Sequence, residues 1–476
     1  MDVELKEQTK KGLIWSAIQR FSSQGAQFVF TIFIARQLTP EDYGVVGMLG
    51  VFLAVASVFV DGGFTNALIR KQDRTQVDLS TVFYFNIVIG LLAYLVIFAI
   101  APFVADFYNM PVLKDVLRVF GLTIIINSFC AIQMTLFNIK IDFKTQTTIT
   151  LISIFVSGVV ALCCAFAGMT YWTLVIQALT SSLVSTSLYW IMSNWRPILV
   201  FSKQSFHEMF SFGSKLLIQG LINNIYGNIY PIIIGKLFAA STLGNYTRAQ
   251  SFANFPSVAM TGIMQRVTYP VLCRIQDNEH ELAYAYRKFL RLSAFVIFPL
   301  MTGLAALSTQ FVILTIGKKW LFCAFLLQIL CFSVMWYPIH AINLNLLQVK
   351  GRTDLSLRLE IIKKIVGIAI LCISAPFGIV AMCYFQILSC LFCLIINTYY
   401  TGKLINLGFL KQMRDLTPTF IISIAMFGLI LLINSVTTHL WQQVVIGVVI
   451  GGLFYLIMSY LFNKSEWKTI MSLIKK

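Results

Sequence analysis

Charged side chains are scarce in this sequence, and acidic ones are scarcer still. Only 12% of the 476 residues are charged and 19 are Asp or Glu, whereas a typical soluble protein carries about 25% charged residues. The four histidines are far apart, and no GxSxG, HExxH, P-loop or dinucleotide-binding motif occurs in a suitable context. These absences exclude a soluble domain of any size. They predict a protein that is not an enzyme and holds no metal or cofactor.

Long apolar runs dominate the rest of the chain. Hydrophobic residues make up 58% of it, and the runs have the length of about 20 residues that spans a bilayer as a helix. The pattern predicts an all-α polytopic membrane protein with about 14 transmembrane helices. We interpret the first as a retained span because no small-residue cleavage site follows the polar start. The predicted spans are 12–35, 43–66, 79–102, 112–137, 147–168, 171–193, 206–234, 243–269, 289–310, 322–348, 357–376, 379–401, 416–435 and 440–462.

The basic residues are distributed asymmetrically between the two sides of these spans. With a cytoplasmic N-terminus, 24 of the 36 Lys and Arg residues fall in cytoplasmic segments and 6 on the opposite side. Cytoplasmic loops of membrane proteins carry such an excess. Both termini are therefore predicted to be cytoplasmic, and the even number of spans is supported. The same distribution explains the net charge of +17 better than binding to nucleic acid does.

The cysteines and the acidic loop around His280 do not indicate a metal site or redox chemistry. Nearly all ten cysteines lie within apolar runs. Cys390 and Cys393 form a CxxC, but no second pair or histidine shares their span. We interpret both as small residues at a helix contact, and the acidic residues around His280 as a solvated loop.

A repeat with an offset of 200 residues runs through the chain. Ile34-Ala35-Arg36 and Gly44 recur as Ile234-Gly235-Lys236 and Gly244. Because six predicted spans separate the copies, both have the same membrane orientation. We expect an axis along the membrane normal, with the functional site between the copies. The expected units are an N-terminal six-helix lobe at 1–200, a C-terminal six-helix lobe at 201–401, and an additional helix pair with a basic tail at 402–476.

The segment Lys11–Gly44 carries a polar face through an otherwise apolar span. Arg20 lies deep in that span, and a cation at the bilayer centre costs about 2.5–3.5 kcal/mol on insertion scales. The face is therefore predicted to line a polar cavity inside the membrane. It consists of Ser16, Arg20, Ser23, Gln24, Gln27 and Thr31.

Five of the ionisable side chains inside the predicted spans are candidates for the site, and four of them are cationic. A cavity with net positive charge suits an anionic group such as phosphate or diphosphate. Those near span ends could instead reach the interface, and the two deepest, Arg20 and Lys215, could form structural ion pairs. The candidate substrate ligands are Arg20, Lys215, Arg248 and Arg266, and the candidate for ion or proton coupling is Asp61.

Neutral polar residues, glycines and prolines accompany these charges. The polar residues suit a hydroxyl-rich sugar, although helix–helix hydrogen bonds explain each one equally well. The double glycine after Asp61 permits either a hinge or a close helix contact. Prolines within spans, such as Pro256, predict kinks that serve either motion or packing. The neutral residues predicted to line the cavity are Gln24, Gln27, Asn66, Gln219, Asn223, Asn224 and Gln265.

Two N-terminal segments resemble a known family. The run KGLIWSAIQRFSSQGAQFVFTIFIARQLTPEDYGVVGM, followed by FVDGGFTNALIRKQ, resembles the Wzx-type polysaccharide flippases. These belong to the superfamily of multidrug, oligosaccharidyl-lipid and polysaccharide exporters. The LTPEDYG and FVDGGFTNALI segments are typical of the branch that resembles exopolysaccharide and colanic-acid exporters.

The resemblance implies two lobes that alternate between inward-open and outward-open states in a bacterial inner membrane. The implied substrate is an undecaprenyl-diphosphate-linked oligosaccharide repeat unit, moved to the outer leaflet for O-antigen, capsule or exopolysaccharide. Membrane lipids, a polysaccharide polymerase and other assembly proteins are the implied partners. A cation-coupled multidrug antiporter of the same superfamily is the second interpretation, although few carboxylates lie in the spans. A membrane polysaccharide polymerase or ligase is the third, although no long outer loop is present.

Overall fold

All regular structure in the described part of the chain is helical. The computed structural model describes residue 15 and residues 22–61, 63–464 and 466–467, without the side chains of Asp61 and Thr353. Within these ranges there is no strand. Among the described residues, nine helices are long and apolar enough to cross a membrane, or ten if a bent pair counts as one span. The expected all-α polytopic fold is confirmed, and the count of 14 spans stays a prediction.

Nineteen α-helices are described, and the first is described over 22–37. Two short 3-10 helices, Lys318–Trp320 and Ala375–Phe377, join longer ones. The α-helices are α1 (22–37), α2 (Pro40–Asp61), α3 (Phe64–Arg70), α4 (Gln76–Tyr108), α5 (Val112–Ser128), α6 (Ala131–Ile139), α7 (Phe143–Phe166), α8 (Trp172–Met192), α9 (Lys203–Gly227), α10 (Ile229–Leu237), α11 (Ala240–Arg274), α12 (Glu279–Ala306), α13 (Ser308–Thr315), α14 (Leu321–Val334), α15 (Tyr337–Val349), α16 (Thr353–Ser374), α17 (Ile379–Ile405), α18 (Phe409–Val436) and α19 (Leu440–Phe462).

The helices form two compact units, Met1–Gly244 and Asn245–Lys476. In the first unit, α2 packs against α4, α5 and α9, and α7 packs along α8. In the second unit, α12 packs against α14 and α18, and α16 packs along α17. The boundary between the units falls inside α11. The lobe limits at 200 and 401 stay a prediction.

Helix α4 begins at a cap that also holds α9 in place. The Thr75 hydroxyl accepts the N–H of Asp78 at 3.2 Å, and the Asp78 carboxylate accepts the N–H of Thr75 at 2.8 Å, which is a capping box. Lys71 Nζ lies 3.2 Å from the same carboxylate and 3.0 Å from that of Glu208 in α9. The hydrogen bond with Glu208 raises the pKa of the Lys71 ammonium. The start of α4 is thus joined to the start of α9.

Several predicted spans are each divided into two helices, and three of these breaks lie well inside the predicted span. Helices α5 and α6 meet at a bend of 44°, α9 gives way to α10 at Asn228, and α14 gives way to α15 after Met335. Pro338 stands in the first turn of α15, where its missing N–H would have no helical partner in any case. It therefore starts a helix, whereas Pro256 lies inside α11.

Candidate substrate-binding site

The predicted site residues that the structure describes are divided between the two units. Arg20 lies outside the described residues, and so does the side chain of Asp61. The first unit holds Gln24, Gln27, Asn66, Lys215, Gln219, Asn223 and Asn224, and the second holds Arg248, Gln265 and Arg266.

Helix α9 has one face for packing and an opposite face that is polar. Gly213 and Gly220 stand on the first face, where a Cβ on Gly220 would lie 2.9 Å from a methyl group of Val58 in α2. Lys215 and Gln219 are four residues apart on the other face, followed by Asn223, and all three side chains are exposed. Lys215 forms no ion pair with a described side chain. An ammonium in hydrocarbon costs about 2.5–3.5 kcal/mol, and the position of Lys215 in a polar cavity stays a prediction.

The packing face brings the loop between α2 and α3 against α9. Gly63 has φ +60°, and a Cβ there would lie 2.1 Å from the carbonyl oxygen of Gly213. Both the left-handed backbone and the close approach therefore require glycine. Of the two alternatives for the double glycine, a hinge or a close contact, the contact is observed at Gly63. It places the end of α2 beside α9, two residues before Lys215.

Helix α1 carries the neutral part of the first polar face. Gln24 is half-buried and Gln27 is exposed. On another side of the helix, Phe30 meets Gly158 of α7, where a Cβ would lie 2.4 Å from the ring. A bulky side chain at 158 would therefore push α1 away from α7.

Helix α11 presents Arg248 and Arg266 five turns apart. Residues 18 apart fall on the same face of an α-helix and about 27 Å apart along its axis. On the opposite face, the Ser257 hydroxyl donates to the carbonyl of Val334 at 2.9 Å, which anchors α11 to α14. Arg266 and its neighbour Gln265 are exposed, and Arg248 is half-buried. Given their separation, the two guanidinium groups cannot hold one diphosphate at the same time.

A histidine that sequence reasoning left aside lies against the CxxC. His340 Nδ1 lies 3.0 Å from the amide nitrogen of Asn397, and Nε2 lies 3.2 Å from Cys390 Sγ. The amide donates to Nδ1, so Nε2 carries the proton of the neutral ring. Cys390 in turn lies 3.2 Å from the carbonyl of Ser333. The sequence carried no signal for this contact because His340 and Cys390 belong to different helices.

No group of three or more His, Cys, Asp or Glu side chains in the described part of the chain could hold a metal ion. His340 is instead an ionisable group within a predicted span, a kind of residue that often marks an ion or proton path in membrane proteins.

A comparison with models of protein families assigns the chain to one of these families. Residues 33–325 match the model of a family described as polysaccharide biosynthesis protein. The chain belongs to this family. The resemblance that the N-terminal segments carry is therefore confirmed.

The matches to three relatives cover between two thirds of the chain and nearly all of it. The lipopolysaccharide biosynthesis protein WzxC of Escherichia coli (strain K12) is 25% identical over 76% of this chain and 74% of its own length. The teichuronic acid biosynthesis protein TuaB of Bacillus subtilis (strain 168) is 24% identical over 99% of both chains. The succinoglycan biosynthesis transport protein ExoT of Rhizobium meliloti (strain 1021) is 24% identical over 67% of this chain and 65% of its own length.

Solved structures identify the fold. The lipid II flippase MurJ, in an inward closed conformation, matches with a TM-score of 0.75 at 17% identity, over 95% of this chain and 99% of that one. An inward-facing multidrug resistance MATE family transporter of the MOP superfamily matches with a TM-score of 0.61 at 12% identity, over 82% of this chain and 98% of that one. The family member described here therefore has the fold of these multi-pass transporters.

Proposed function

We propose that this family member is a flippase for lipid-linked oligosaccharides. It moves undecaprenyl-diphosphate-linked repeat units from the inner to the outer leaflet of a bacterial inner membrane, by alternating access, for cell-surface polysaccharide. Family membership, the names of WzxC, TuaB and ExoT, and the fold shared with MurJ support this proposal. The observation that carries it is the exposed cation Lys215 on the polar face of α9.

Electrostatics explain why such a face is needed. A diphosphate cannot enter hydrocarbon unaided, since burying an unpaired charge is very costly. A water-filled path with fixed cations lowers that barrier, while the lipid tail remains in the bilayer. Lys215, with Arg20 as its predicted counterpart, supplies the charge, and the amides of Gln219 and Asn223 suit sugar hydroxyls. Asp61 remains the proposed group for ion or proton coupling.

The distance between Arg248 and Arg266 means that the two residues bind the diphosphate at successive stages of transport. Because about 27 Å separates them along α11, each can hold the diphosphate only at a different stage. The asymmetry of basic loops puts Arg266 near the cytoplasmic end and Arg248 near the outer end. Arg266 thus serves entry and Arg248 serves release. In this topology both termini are cytoplasmic, and a polymerase and other assembly proteins receive the product.

A cation-coupled drug antiporter is the second candidate, favoured by the fold shared with the MATE transporter. Such a protein needs a site rich in carboxylates, and the predicted spans hold few. A polymerase or ligase would need a long catalytic outer loop, which the predicted topology does not provide. The flippase therefore accounts best for the cationic faces.

A translocation assay in liposomes tests the proposal. Undecaprenyl-diphosphate oligosaccharide is added, and the arrival of sugar at the opposite leaflet is followed with an added glycosidase. Lys215→Ala should slow movement about tenfold, the value of one charge-assisted hydrogen bond, whereas Lys215→Arg should keep most of the rate. The matched control is Lys114→Ala, which removes an exposed lysine of α5 and should leave the rate unchanged.

Two outcomes would contradict the proposal. If Lys215→Ala moves lipid at the rate of the intact protein, the polar face of α9 is not the path. If the intact protein moves no lipid but exchanges small cations for protons, the antiporter replaces the flippase. Size-exclusion profiles of each variant separate loss of function from loss of folding.

A further inference from the structure

The segment that joins α8 to α9 exposes a run of apolar side chains. Residues 193–202 belong to no helix, and residues 198–201, which we call the apolar tip, are Ile, Leu, Val and Phe. All four side chains are exposed, and that of Leu199 is 93% exposed. Leu199 is the central residue of a tight turn, in which the N–H of Val200 donates to the carbonyl of Ile198 at 2.8 Å.

Hydrogen bonds hold this apolar tip against α4. The N–H of Ile198 donates to the Ser80 hydroxyl at 3.0 Å, and the N–H of Ser202 donates to the Thr81 hydroxyl at 3.1 Å. Both accepting side chains are buried. The backbone at the two ends of the tip is therefore fixed, while the apolar side chains between these ends remain exposed.

The position of these bonds along α4 sets the depth of the tip in the membrane. Helix α4 begins at Gln76, whose amide donates to the carbonyl of Arg196 at 2.6 Å. Ser80 lies four residues, or about 6 Å, further along the helix, just inside the predicted span 79–102. The basic residues assign this end of the span to the cytoplasmic side. The tip thus lies beside the first apolar turn of α4, at the cytoplasmic edge of the membrane.

The residues that flank the tip are typical of a membrane interface. The indole N–H of Trp195 donates to the Gln76 side chain at 2.7 Å, and the guanidinium of Arg196 lies 5.5 Å from the centre of the Trp190 ring. Lys203, like Arg196, is exposed. Tryptophan is enriched at membrane interfaces, and anionic lipids of the cytoplasmic leaflet attract cations near the surface. A soluble partner would not require this depth, whereas a lipid contact does.

We propose that the apolar tip inserts into the cytoplasmic leaflet and anchors the connection between α8 and α9 there. Its partner is the phospholipid surface. Apolar side chains that leave water stabilise the inserted tip, while Arg196 and Lys203 remain among the head groups. Because α9 starts directly after the tip and continues to Lys215, the anchor fixes the depth at which α9 enters the membrane. The proposal does not depend on which molecule the protein moves.

Photocrosslinking to lipid tests the anchor. The full-length protein carries one benzophenone amino acid, at position 199, and is placed in liposomes of phosphatidylethanolamine and phosphatidylglycerol. Phospholipid adducts are measured by mass spectrometry. The positive control has the probe in place of Phe155, which is 64% exposed on α7, and the negative control has it in place of His280, which is exposed in a predicted cytoplasmic loop. The yield at 199 should match that at 155 and exceed that at 280 about tenfold, the preference of one leucine-sized side chain for apolar surroundings.

A pair of variants tests whether the apolar side chains themselves hold the tip in the leaflet. With the probe at position 201, Leu199→Asp should lower the lipid adducts about tenfold, because a carboxylate at the tip stays in water. Leu199→Met should keep them, since methionine is apolar and of similar size. Size-exclusion profiles confirm that both variants are folded, which is expected because the side chain at 199 is exposed.

Three outcomes would overturn the anchor. They are a lipid yield at 199 as low as that at 280, adducts at 199 with a second copy of the protein in place of lipid, and equal yields for Leu199→Asp and Leu199→Met. None of these measurements involves lipid movement. Adducts at 199 in a protein that moves no lipid would therefore overturn the flippase alone, and lipid movement without adducts at 199 would overturn the anchor alone.

Discussion

Gly44 and Gly244 each lie against the start of the helix that carries the other. A Cβ on Gly44 would lie 1.8 Å from the carbonyl oxygen of Ala240, and a Cβ on Gly244 would lie 1.7 Å from that of Pro40. The four positions are related by the repeat offset of 200 residues. Residue i of one copy thus meets residue j of the other, and j meets i, which is the pattern of a two-fold contact. Here that contact lies within the first unit.

Alanine at this contact should destabilise the protein. A methyl group on Gly44 or Gly244 would overlap a backbone oxygen, so the two helix starts must separate, and overpacking costs about 1–3 kcal/mol. The thermal unfolding midpoint in detergent should fall for Gly44→Ala and Gly244→Ala. Gly50→Ala is the control on α2, because nothing lies within 4 Å of a Cβ there, and it should be neutral or stabilising. Equal midpoints for Gly44→Ala and Gly50→Ala would refute the close approach.

Gly63→Ala should impair the protein through its backbone. Alanine at φ +60° costs about 1–2 kcal/mol, and its methyl group would also meet the carbonyl of Gly213. The α3 region should therefore move away from α9, and both stability and lipid movement should decrease. Gly25→Ala, at a helical site with nothing within 4 Å, is the comparison. Unchanged stability of Gly63→Ala would show that the contact is not made.

Asp415→Asn should loosen the second unit. The carboxylate accepts two hydrogen bonds of 2.6 Å from Arg287 and another from Arg291, which join α12 to α18. Hydrogen bonds to charged groups contribute about 1.5–3 kcal/mol, so the unfolding midpoint should fall. Asp354→Asn removes an exposed pair with Arg352 and should change little. A midpoint for Asp415→Asn as high as that of Asp354→Asn would contradict this assignment.

Arg248→Ala and Arg266→Ala should act independently of each other. Sites more than 7–10 Å apart usually have additive effects, to about 0.3–0.5 kcal/mol, and these lie about 27 Å apart along α11. We expect Arg266→Ala to raise the substrate concentration for half-maximal rate, and Arg248→Ala to lower the maximal rate. The measurement is the rate of lipid movement for both single variants and the double variant. Strong non-additivity would indicate one shared site in place of successive steps.

The spacing of polar residues along the sequence was enough to predict part of the candidate site. Lys215 and Gln219 stand four residues apart in an apolar run, which is enough to put them on one helix face. The orientation of that face needed the fold, because it depends on Gly213 packing against Gly63 on the other side. Arg20 and Asp61 remain predictions from the sequence.

Other features could not be read from the sequence. His340 and Cys390 are 50 residues apart and meet only because α15 packs on α17. A groove between α2 and α4 is lined by residues as apolar as those of any other span. Hydrophobicity does not distinguish a position that faces lipid from one that faces a helix, since both surroundings are apolar.

The sequence by itself determined the fold class, the family resemblance and the cationic character of the spans. The lengths of the apolar runs, the polar residues inside them and the N-terminal motifs were sufficient for that, because the bilayer imposes a fixed length and penalises charge. Tertiary structure decided which helices pack together, where glycine permits close approach, and where an apolar groove opens between α2 and α4. Those features depend on the shapes of facing surfaces, which residues far apart in the chain form together.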